Sequence, residues 1–383
     1  MECGGKPPLL PLRKVGGDLS PPVQTHIMPS IHEHPKHGDK PPPQSGDKSP
    51  HPISPIPQPS ALSLLSGGLD SMLAVCVLRA ANVHVEGVVF ASPFFDDRNA
   101  RRAAEQLKIK LHTVDFTDDI FALLDHPRHG FGGAMNPCID CHARMIQRAG
   151  ELMQRLGFDF IATGEVLGQR PMSQNKQALG IVGRGSQFED VLVRPLSAQL
   201  LAPAKPERDG LLDRAKLLAL NGRSRKPQIE LAKQFGLTFF PAPAGGCLLT
   251  EKGYSRRLAA IQQKFGLQRR LVKLLRVGRC FRLPEGALCL AGRDERDNEH
   301  LRKSVDFQAG DILLRSVNVP GPTLLIPCAA SGADLADAVR LCAAYSDPRN
   351  SPGDLIVKHA TVAGETLHTL APPPRGPFAA WLV

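Results

Sequence analysis

Residues 62–71 read Leu62-Ser63-Leu64-Leu65-Ser66-Gly67-Gly68-Leu69-Asp70-Ser71, and this stretch decides the fold of the chain. An apolar run stops at Ser-Gly-Gly and resumes with apolar residues three and four positions apart. That pattern predicts a strand, a tight loop and a helix that begins near Leu69. Gly67 and Gly68 have no Cβ atoms, so backbone N–H groups can converge on an anion in front of the helix. The sequence therefore predicts a phosphate-binding loop.

The loop has a second interpretation from its residues alone. A Gly-Gly pair after a strand is also an ordinary turn, in which Asp70 and Ser71 would only cap the helix. In a phosphate site, the Asp70 carboxylate would instead hold a magnesium ion beside the phosphates. The chain has no Gly-x-x-x-x-Gly-Lys-[Ser/Thr] segment, so a Walker-type nucleotide hydrolase is not favoured.

Strands and helices alternate after the loop. Apolar runs at residues 85–90 and 111–116 predict two more strands, with a helix at residues 99–107 between them. Another predicted strand begins at Phe160 and ends in Thr163-Gly164-Glu165. The alternation predicts an α/β fold with a doubly wound, mostly parallel sheet. Its ligand should lie beyond the carboxyl ends of the strands, where residues 66–71 are found.

Composition divides the 383 residues into segments of different character. Residues 1–59 hold 15 of the 35 prolines without any periodicity, so we expect a disordered, Pro/His-rich tail. We place the domains of the remaining chain at residues 60–205, 206–278 and 279–375. No apolar stretch approaches the roughly 20 residues of a membrane-spanning helix, and no secretory signal is evident. We therefore expect a cytoplasmic protein that does not bind membranes.

Cysteine usage indicates thiol or metal chemistry. Nine cysteines are an odd number at low density, which argues against a disulfide framework and for a reducing compartment. Cys138 and Cys141 lie three residues apart after Pro137, at the predicted start of a helix whose N-terminus would stabilise a thiolate. Cys247 follows a Gly-Gly turn, which we expect to be exposed and flexible. Three cysteines are thus placed where chemistry is plausible.

The net charge of +10 is concentrated in one stretch. Residues 252–282 contain ten Lys or Arg residues and no acid, and leucines at helical spacing give the stretch an apolar face. Both a solvated connecting segment and a surface that follows nucleic-acid phosphates fit this pattern. The candidate RNA-binding residues are Arg256, Arg257, Arg269, Arg270 and Lys273, together with Arg170 farther upstream.

Three motifs together resemble a known enzyme group. The Ser-Gly-Gly-x-Asp-Ser loop, the Asn136-Pro137-Cys138-x-x-Cys141 segment and Gly246-Cys247 resemble the PP-loop tRNA thiolases, which are ATP pyrophosphatases of the MnmA, TtuA and ThiI type. The resemblance implies a HUP-like fold, Mg²⁺, and ATP that is cleaved between its α and β phosphates. This group often has His where this chain has Glu165. The implied ATP-binding and pyrophosphate-binding residues are Ser66, Gly67, Gly68, Asp70, Ser71, Phe90, Thr163, Gly164 and Glu165.

The same resemblance implies that Cys138, Cys141 and Cys247 handle sulfur. In the TtuA type, three cysteines hold a [4Fe–4S] cluster with one iron left open, whereas two thiols without a cluster can carry a persulfide and resolve it as a disulfide. A structural zinc is a third possibility, with His142 as the nearest further ligand. The sulfur donor would be a cysteine desulfurase, a carrier protein or free sulfide.

Residues 279–375 resemble the RNA-binding domain of the NFACT proteins. The segments Gly292-Arg293, Asp311-Ile312 and Pro320-Gly321 follow one another in the order of that family. The resemblance implies a small α+β domain that recognises RNA by phosphate or shape, since the few aromatic residues do not form a stacking platform. The predicted elements are a strand at residues 287–292, a helix at residues 333–345 and a final strand at residues 355–358.

These features together predict an ATP-dependent tRNA sulfurtransferase. The enzyme would adenylate a base carbonyl of tRNA and replace its oxygen with sulfur, releasing AMP and pyrophosphate. Two other functions stay open from the sequence. One is a PP-loop amide-forming ligase, which would need ammonia rather than cysteines, and the other is a non-catalytic RNA-binding factor with a relic nucleotide site. The sequence does not identify the modified base or its position in the tRNA.

Overall fold

The computed structural model describes residues 58–170, 172–242, 246–347 and 353–383. The tail predicted at residues 1–59 lies outside the described residues, apart from its last two. The elements up to the second sheet are, in chain order, β1 (Ser60–Leu64), α1 (Leu69–Ala80), β2 (His84–Ala91), α2 (Arg98–Leu107), β3 (Leu111–Asp115), α3 (Thr117–Asp125), α4 (Cys138–Leu156), β4 (Phe160–Ala162), α5 (Lys176–Ser186), β5 (Leu192–Val193), α6 (Lys205–Arg208), α7 (Lys226–Gln234), α8 (Lys252–Phe265) and α9 (Arg269–Leu274).

The first sheet is parallel and has the strand order β3-β2-β1-β4-β5. The central strand, β1, pairs with β2 on one side and β4 on the other, and Leu62 in it is fully buried. The order reverses direction between β1 and β4, which is where doubly wound sheets open a crevice for ligands. The predicted doubly wound parallel sheet is confirmed, and its crevice follows the carboxyl ends of these two strands.

The remaining elements form an antiparallel sheet with two helices. They are β6 (Arg279–Arg282), β7 (Leu288–Ala291), α10 (Glu295–Ser304), β8 (Ile312–Ser316), β9 (Thr323–Ile326), α11 (Gly332–Tyr345), β10 (Leu355–Thr361) and β11 (Gly364–Leu370). The strand order is β11-β10-β8-β9-β7-β6. The predicted small α+β module is confirmed, but β10 is not its final strand. The sequence pattern missed β11 because most of this edge strand is exposed and carries no apolar alternation.

A continuous apolar core joins the two sheets. One cluster of buried side chains contains Phe90 from the first sheet, Leu258 and Leu271 from α8 and α9, and Leu290 from the second sheet. The apolar face predicted for the basic stretch is therefore confirmed, and it lies between the sheets. Within the described ranges, no helix is both long and apolar enough to cross a membrane.

Candidate nucleotide and sulfur site

The loop between β1 and α1 leaves the helix N-terminus open. Gly67 has φ +78°, and a Cβ atom there would lie 2.2 Å from the backbone carbon of Asn99, so only glycine fits this close approach. The Ser71 hydroxyl donates to the Gly68 carbonyl (2.8 Å), and the Gly68 N–H donates to Ser66 Oγ (3.3 Å). No side chain caps the N-terminus of α1. The free N–H groups at this helix N-terminus can therefore bind an anion. The alternative interpretation, an ordinary turn in which Asp70 and Ser71 only cap the helix, assigned these groups no ligand.

Asp70 faces the loops that follow β4 and precede α7. Its Oδ2 atom accepts a hydrogen bond from Gln169 Nε2 (3.0 Å), whereas its buried Oδ1 atom has no partner. Burial raises the pKa of Asp70, and Gln169, Arg225 and Arg170 oppose that rise. An unpartnered carboxylate oxygen beside two guanidinium groups fits a divalent cation shared with a polyphosphate.

The end of β4 packs directly on the first turn of α1. A Cβ atom on Gly164 would lie 2.5 Å from the Ser71 nitrogen, so the absence of a side chain allows this contact. The Thr163 hydroxyl donates to Glu165 Oε2 (3.1 Å). Residues 163–165 thus lie at the crevice, next to the phosphate-binding loop. By contrast, Phe90 is buried and stacks edge-on against Phe116 at a centroid distance of 5.3 Å, which makes it a core residue in this structure.

Glu165 is the centre of a buried ionic group. Its Oε2 atom accepts from Arg194 Nε (2.8 Å), and its Oε1 atom lies 3.5 Å from His142 Nδ1. Burial alone would raise the pKa of Glu165, but Arg194 and His142 outweigh it and hold the pKa at about 2. Glu165 therefore stays ionised and links the end of β4 to the first turns of α4.

The three cysteines come together at the N-terminus of α4. Asn136 Nδ2 donates to Cys138 Sγ (3.2 Å), and Cys138 is the first residue of the helix. The thiols of Cys138, Cys141 and Cys247 are close enough for their charges to disfavour one another. All three are free of disulfide bonds. The prediction that these cysteines share one site is consistent with this arrangement.

The thiolate stabilisation expected at the start of α4 is not found for Cys141. Burial, followed by the charges of Cys247, Cys138 and Asp140, raises the pKa of Cys141 well above its ordinary value. Burial raises the pKa of Cys247 to about 11, so its surroundings are more enclosed than a Gly-Gly turn suggested. The N-terminus of α4 does not offset the loss of water around the Cys141 sulfur.

The thiols do not form a metal site as they are placed. In the part of the chain that the structure describes, no group of three or more His, Cys, Asp or Glu side chains has an arrangement that could hold a metal ion. His142 points its Nδ1 atom at Glu165. This arrangement gives no support for the [4Fe–4S] cluster or the structural zinc considered from the sequence, and the exchange of sulfur between two thiols stays a prediction.

Ser255 in α8 joins the two segments that carry the cysteines. Its hydroxyl donates to the Leu249 carbonyl (3.0 Å), in the turn after Cys247. The same oxygen accepts from the Met135 N–H (3.3 Å), three residues before Cys138. Ser255 is buried, so both segments are fixed against one helix.

The candidate RNA-binding residues differ in whether their side chains are already bonded to other parts of the protein. Arg256 and Lys273 are exposed and have no partner among the described residues. Arg257 donates to the carbonyls of Leu275 (3.2 Å) and Gly278 (3.4 Å). Arg269 pairs with Asp115 (2.6 Å) and Asp118 (2.9 Å), and Arg270 binds the fully buried Asp311 through both carboxylate oxygens. The last three residues hold elements together, so their cations are not wholly available to RNA.

Sequence reasoning missed the roles of three residues in this site. His142 follows Cys141 directly, so its position was a usable signal, but its contact with Glu165 depends on how α4 meets β4. Arg225 lies outside the motifs quoted from the sequence, and the structure brings it near Asp70. Ser255 had no signal, because a serine inside a basic amphipathic helix is usually a surface residue.

Two family models match separate parts of the chain. Residues 57–199 match the family described as thiamine biosynthesis protein (ThiI), and residues 278–374 match the NFACT protein RNA binding domain. The first match covers the parallel sheet and the phosphate-binding loop, and the second covers the antiparallel module.

Curated relatives match part of the chain. A tRNA-specific 2-thiouridylase MnmA from Sulfurimonas denitrificans is 31% identical over 117 residues, which are 27% of this chain and 33% of the relative. A probable tRNA sulfurtransferase from Thermoanaerobacter sp. is 32% identical over 118 residues, 28% of this chain and 30% of the relative. The chain thus spans about a third of the length of these relatives.

Solved structures give a weaker likeness. A 4-thiouridine synthetase–RNA complex with bound ATP aligns with a TM-score of 0.31 and 20% identity over 47% of this chain and 52% of that chain. The C-terminal part of a fibronectin/fibrinogen-binding protein from Streptococcus suis aligns with a TM-score of 0.25 and 13% identity, over 70% of this chain and 97% of that one.

Proposed function

We propose that this chain, which combines a ThiI-family domain at residues 57–199 with an NFACT-type RNA-binding domain at residues 278–374, is an ATP-dependent tRNA sulfurtransferase. It would adenylate a carbonyl oxygen of a tRNA base and then exchange that oxygen for sulfur. The observation that carries the proposal is the meeting of an open helix N-terminus and three thiols at one edge of a parallel sheet.

The topology supports this meeting. The phosphate-binding loop follows β1, and residues 163–165 follow β4, so both lie at the carboxyl edge of the sheet. The α4 helix leads into β4, and its first residue, Cys138, therefore lies at the same edge. The segment of Cys247 reaches that edge through the Leu248 N–H, which donates to the Phe94 carbonyl just after β2 (3.0 Å).

ATP binding would use the free N–H groups at the start of α1. The pyrophosphate part would lie on residues 66–68, with Arg170 and Arg225 available to neutralise its charge. Asp70 would hold Mg²⁺ through its unpartnered oxygen, and the ion would add positive charge beside the phosphates. Attack of the base carbonyl oxygen on the α-phosphate would form the adenylated base and release pyrophosphate.

Sulfur transfer would then use two of the three thiols. A sulfane-sulfur donor would convert one cysteine into a persulfide, whose terminal sulfur attacks the adenylated carbon and expels AMP with the former carbonyl oxygen. A second cysteine thiolate would attack Sγ of the first cysteine and break its bond to the transferred sulfur. This step would release the thiolated base and leave a disulfide, which a dithiol reductant would restore to two thiols.

The proposal is tested with purified protein, ATP, Mg²⁺, total tRNA and a persulfide-loaded cysteine desulfurase. We expect tRNA-dependent release of AMP and pyrophosphate, together with a thiolated nucleoside identified by mass spectrometry of digested tRNA. Serine variants of Cys138, Cys141 and Cys247 should show which pair is required, while Cys289→Ser, a buried cysteine of the second sheet, is the control.

The two rival functions give different results in the same assay. An amide-forming ligase would keep its pyrophosphate release in all three serine variants, because its chemistry needs no thiol. A non-catalytic RNA-binding factor would bind tRNA without consuming ATP. Either result would contradict the proposal.

A further inference from the structure

The second sheet has one covered edge and one open edge. At the covered edge, the C-terminal segment runs along β6, where Phe281 and Leu382 form a bridge. The Val383 N–H donates to the Cys280 carbonyl in the same place (2.9 Å). At the other edge, β11 pairs with β10 on one side and with no strand of the described residues on the other. The fold thus covers β6 with its own backbone and leaves a seven-residue strand open.

The hydrogen bonds of β10 determine which backbone groups of β11 point outward. The Ile356 carbonyl accepts from the Val317 N–H (2.9 Å), and the Ile356 N–H donates to Asn318 Oδ1 (3.0 Å), so the peptide groups of this residue face β8. Because these groups alternate in direction along an antiparallel strand, those of Val357 face β11. Val357 and every second residue from it pair with the even-numbered residues of β11. The residues of β11 whose N–H and C=O groups point away from the sheet are therefore Glu365, Leu367 and Thr369.

The strand β11 lacks the features by which exposed edge strands usually avoid pairing. Such strands are very short, carry lysine or proline, or contain a bulge. β11 has seven residues, contains no proline, lysine or arginine, and pairs with β10 without a skipped residue. Its single acidic side chain, Glu365, already pairs with Lys358 of β10 (2.8 Å), and Leu367 is 62% exposed on the same face. The edge is a regular strand with little charge to oppose another strand.

We propose that two copies of this chain pair through β11 in antiparallel orientation, with Leu367 of one copy opposite Leu367 of the other. β11 comprises Gly364–Leu370, so Leu367 is its middle residue and this register pairs the whole strand. The two six-stranded sheets would become one continuous sheet across a two-fold axis. The inference does not depend on the proposed function.

This register satisfies the outward backbone groups and keeps like charges apart. Each outward residue would donate one hydrogen bond to the second copy and accept one from it. Glu365 would lie opposite Thr369, and the two Leu367 side chains would meet on the exposed face of the sheet. A register centred on Glu365 would instead place two carboxylates opposite each other. A second copy thus complements this edge in hydrogen bonds, apolar contact and charge.

The interface would be small, so the dimer should be weak. Pairing of two edge strands buries few side chains besides Leu367, and its area falls below the roughly 1,200 Å² at which stable complexes begin. We expect a dissociation constant on the order of 10 µM. Monomer and dimer would therefore exchange within an ordinary range of protein concentration.

Sedimentation equilibrium of the full-length protein tests the dimer. The average mass should rise from monomer toward dimer between concentrations about 10-fold below and 10-fold above that constant. Leu367→Glu should weaken association at least 10-fold, because it places two carboxylates at the two-fold axis while facing Lys358 within its own chain. The matched control is Val362→Glu in the turn of the same hairpin, where Val362 is 63% exposed but lies outside β11; it should change association less than about two-fold. A monomer at all these concentrations, or equal effects of the two variants, would overturn the proposal.

Cysteine substitutions test the register. Oxygen with copper–phenanthroline as catalyst oxidises two thiols to a disulfide, and Leu367→Cys should link two copies because symmetry places this residue opposite itself. Glu365→Cys should link at least 10-fold less, since it would face Thr369. Mass spectrometry of unreduced peptides identifies the linked residues and separates them from links through native cysteines. Equal linkage of the two variants, or dimers linked only through native cysteines, would show that β11 does not pair in this way.

Discussion

Gly67 and Gly68 are adjacent residues that the fold uses in different ways. Gly67 has φ +78° and packs on the backbone at the start of α2, so it has neither the conformation nor the space for a side chain. Gly68 has φ −76° and would place a Cβ atom 3.4 Å from Ser66 Oγ, an ordinary contact. Only the first glycine is required for the shape of the loop.

Alanine substitutions should therefore separate the two positions. Gly67→Ala should lower the free energy of unfolding by about 2–4 kcal/mol, because the Cβ atom meets backbone that cannot move independently. Gly68→Ala should change it by less than about 1 kcal/mol. Urea denaturation checks both values, and similar losses at the two positions would contradict this account of the loop.

Glu165 stands where the tRNA thiolases that this sequence resembles often have His, and in this chain it has a structural role. The sequence alone left an individual role for this residue in doubt. In the structure its carboxylate binds Arg194 and faces His142, so it connects three elements of the site. The buried Arg194 depends on this partner, since its other hydrogen bond goes to a neutral carbonyl, that of Leu179.

The depressed pKa of Glu165 predicts a pH-dependent loss on substitution. A pKa of about 2, compared with 4.5 for an unburied glutamate, corresponds to stabilisation on the order of 3 kcal/mol at neutral pH. This contribution is complete above about pH 4.5 and is lost as the pH falls toward 2. Glu165→Gln should thus be destabilised at pH 7, with a smaller difference from wild type near pH 3, as measured by urea denaturation. The control is Glu86→Gln, which removes a more exposed carboxylate paired with His112 and should cost less than about 1 kcal/mol.

At the scale of elements, α8 and α9 are both the most basic part of the chain and part of its core. Their leucines are buried between the two sheets, while the charges divide into two groups. Arg270 binds the fully buried carboxylate of Asp311, whereas Lys273, one helical turn away, is exposed without a partner. A charge count cannot distinguish these roles, because it does not report which cation meets a buried acid.

Substitution of Arg270 should change the stability of the protein, whereas substitution of Lys273 should change its binding to tRNA. Arg270→Ala leaves Asp311 buried and unpaired, so the free energy of unfolding should fall by about 3–5 kcal/mol. Lys273→Ala should leave thermal unfolding unchanged and weaken tRNA binding by a few-fold, more strongly at low salt. Calorimetry and filter binding measure the two effects. A destabilised Lys273→Ala protein, or a fully stable Arg270→Ala protein, would show that this division of the basic residues is wrong.

The elements themselves were predictable to the extent that their patterns are local. The strand, loop and helix around residues 60–80 follow from apolar spacing and the glycine pair, and α4 follows from its periodicity. The edge strand β11 could not be predicted from a local pattern, because it is defined by its pairing with β10 and not by an apolar face. The surroundings of Cys141 and Cys247 were not predictable either, because the burial of a thiol depends on segments more than 100 residues apart.

At the scale of the whole molecule, the two sheets share one core through α8 and α9 and should unfold together. The protein has a single tryptophan, Trp381, which packs edge-on against Phe378 beside the second sheet. Tryptophan fluorescence therefore follows that sheet, whereas far-ultraviolet circular dichroism is dominated by the helices of the first part. We expect coincident urea transitions from the two probes.

Weakening the shared core should shift both probes equally. Leu258 is fully buried in α8 within this core, and Leu258→Ala should cost about 2–5 kcal/mol. Two separate transitions in the wild type, or a shift confined to one probe in the variant, would indicate two independent domains instead of one cooperative unit.

The shared core also has a consequence for the order in which the chain folds during synthesis. Phe94, just after β2, packs edge-on against Tyr254 of α8 at a centroid distance of 6.1 Å, and its carbonyl accepts from Leu248. The 163 residues that follow the end of β2 at Ala91, up to and including Tyr254, must therefore leave the ribosome before this face of the first sheet is covered. Until then the emerging chain exposes apolar surface, which makes it a substrate for chaperones, and the segment of Cys247 has not yet joined Cys138 and Cys141.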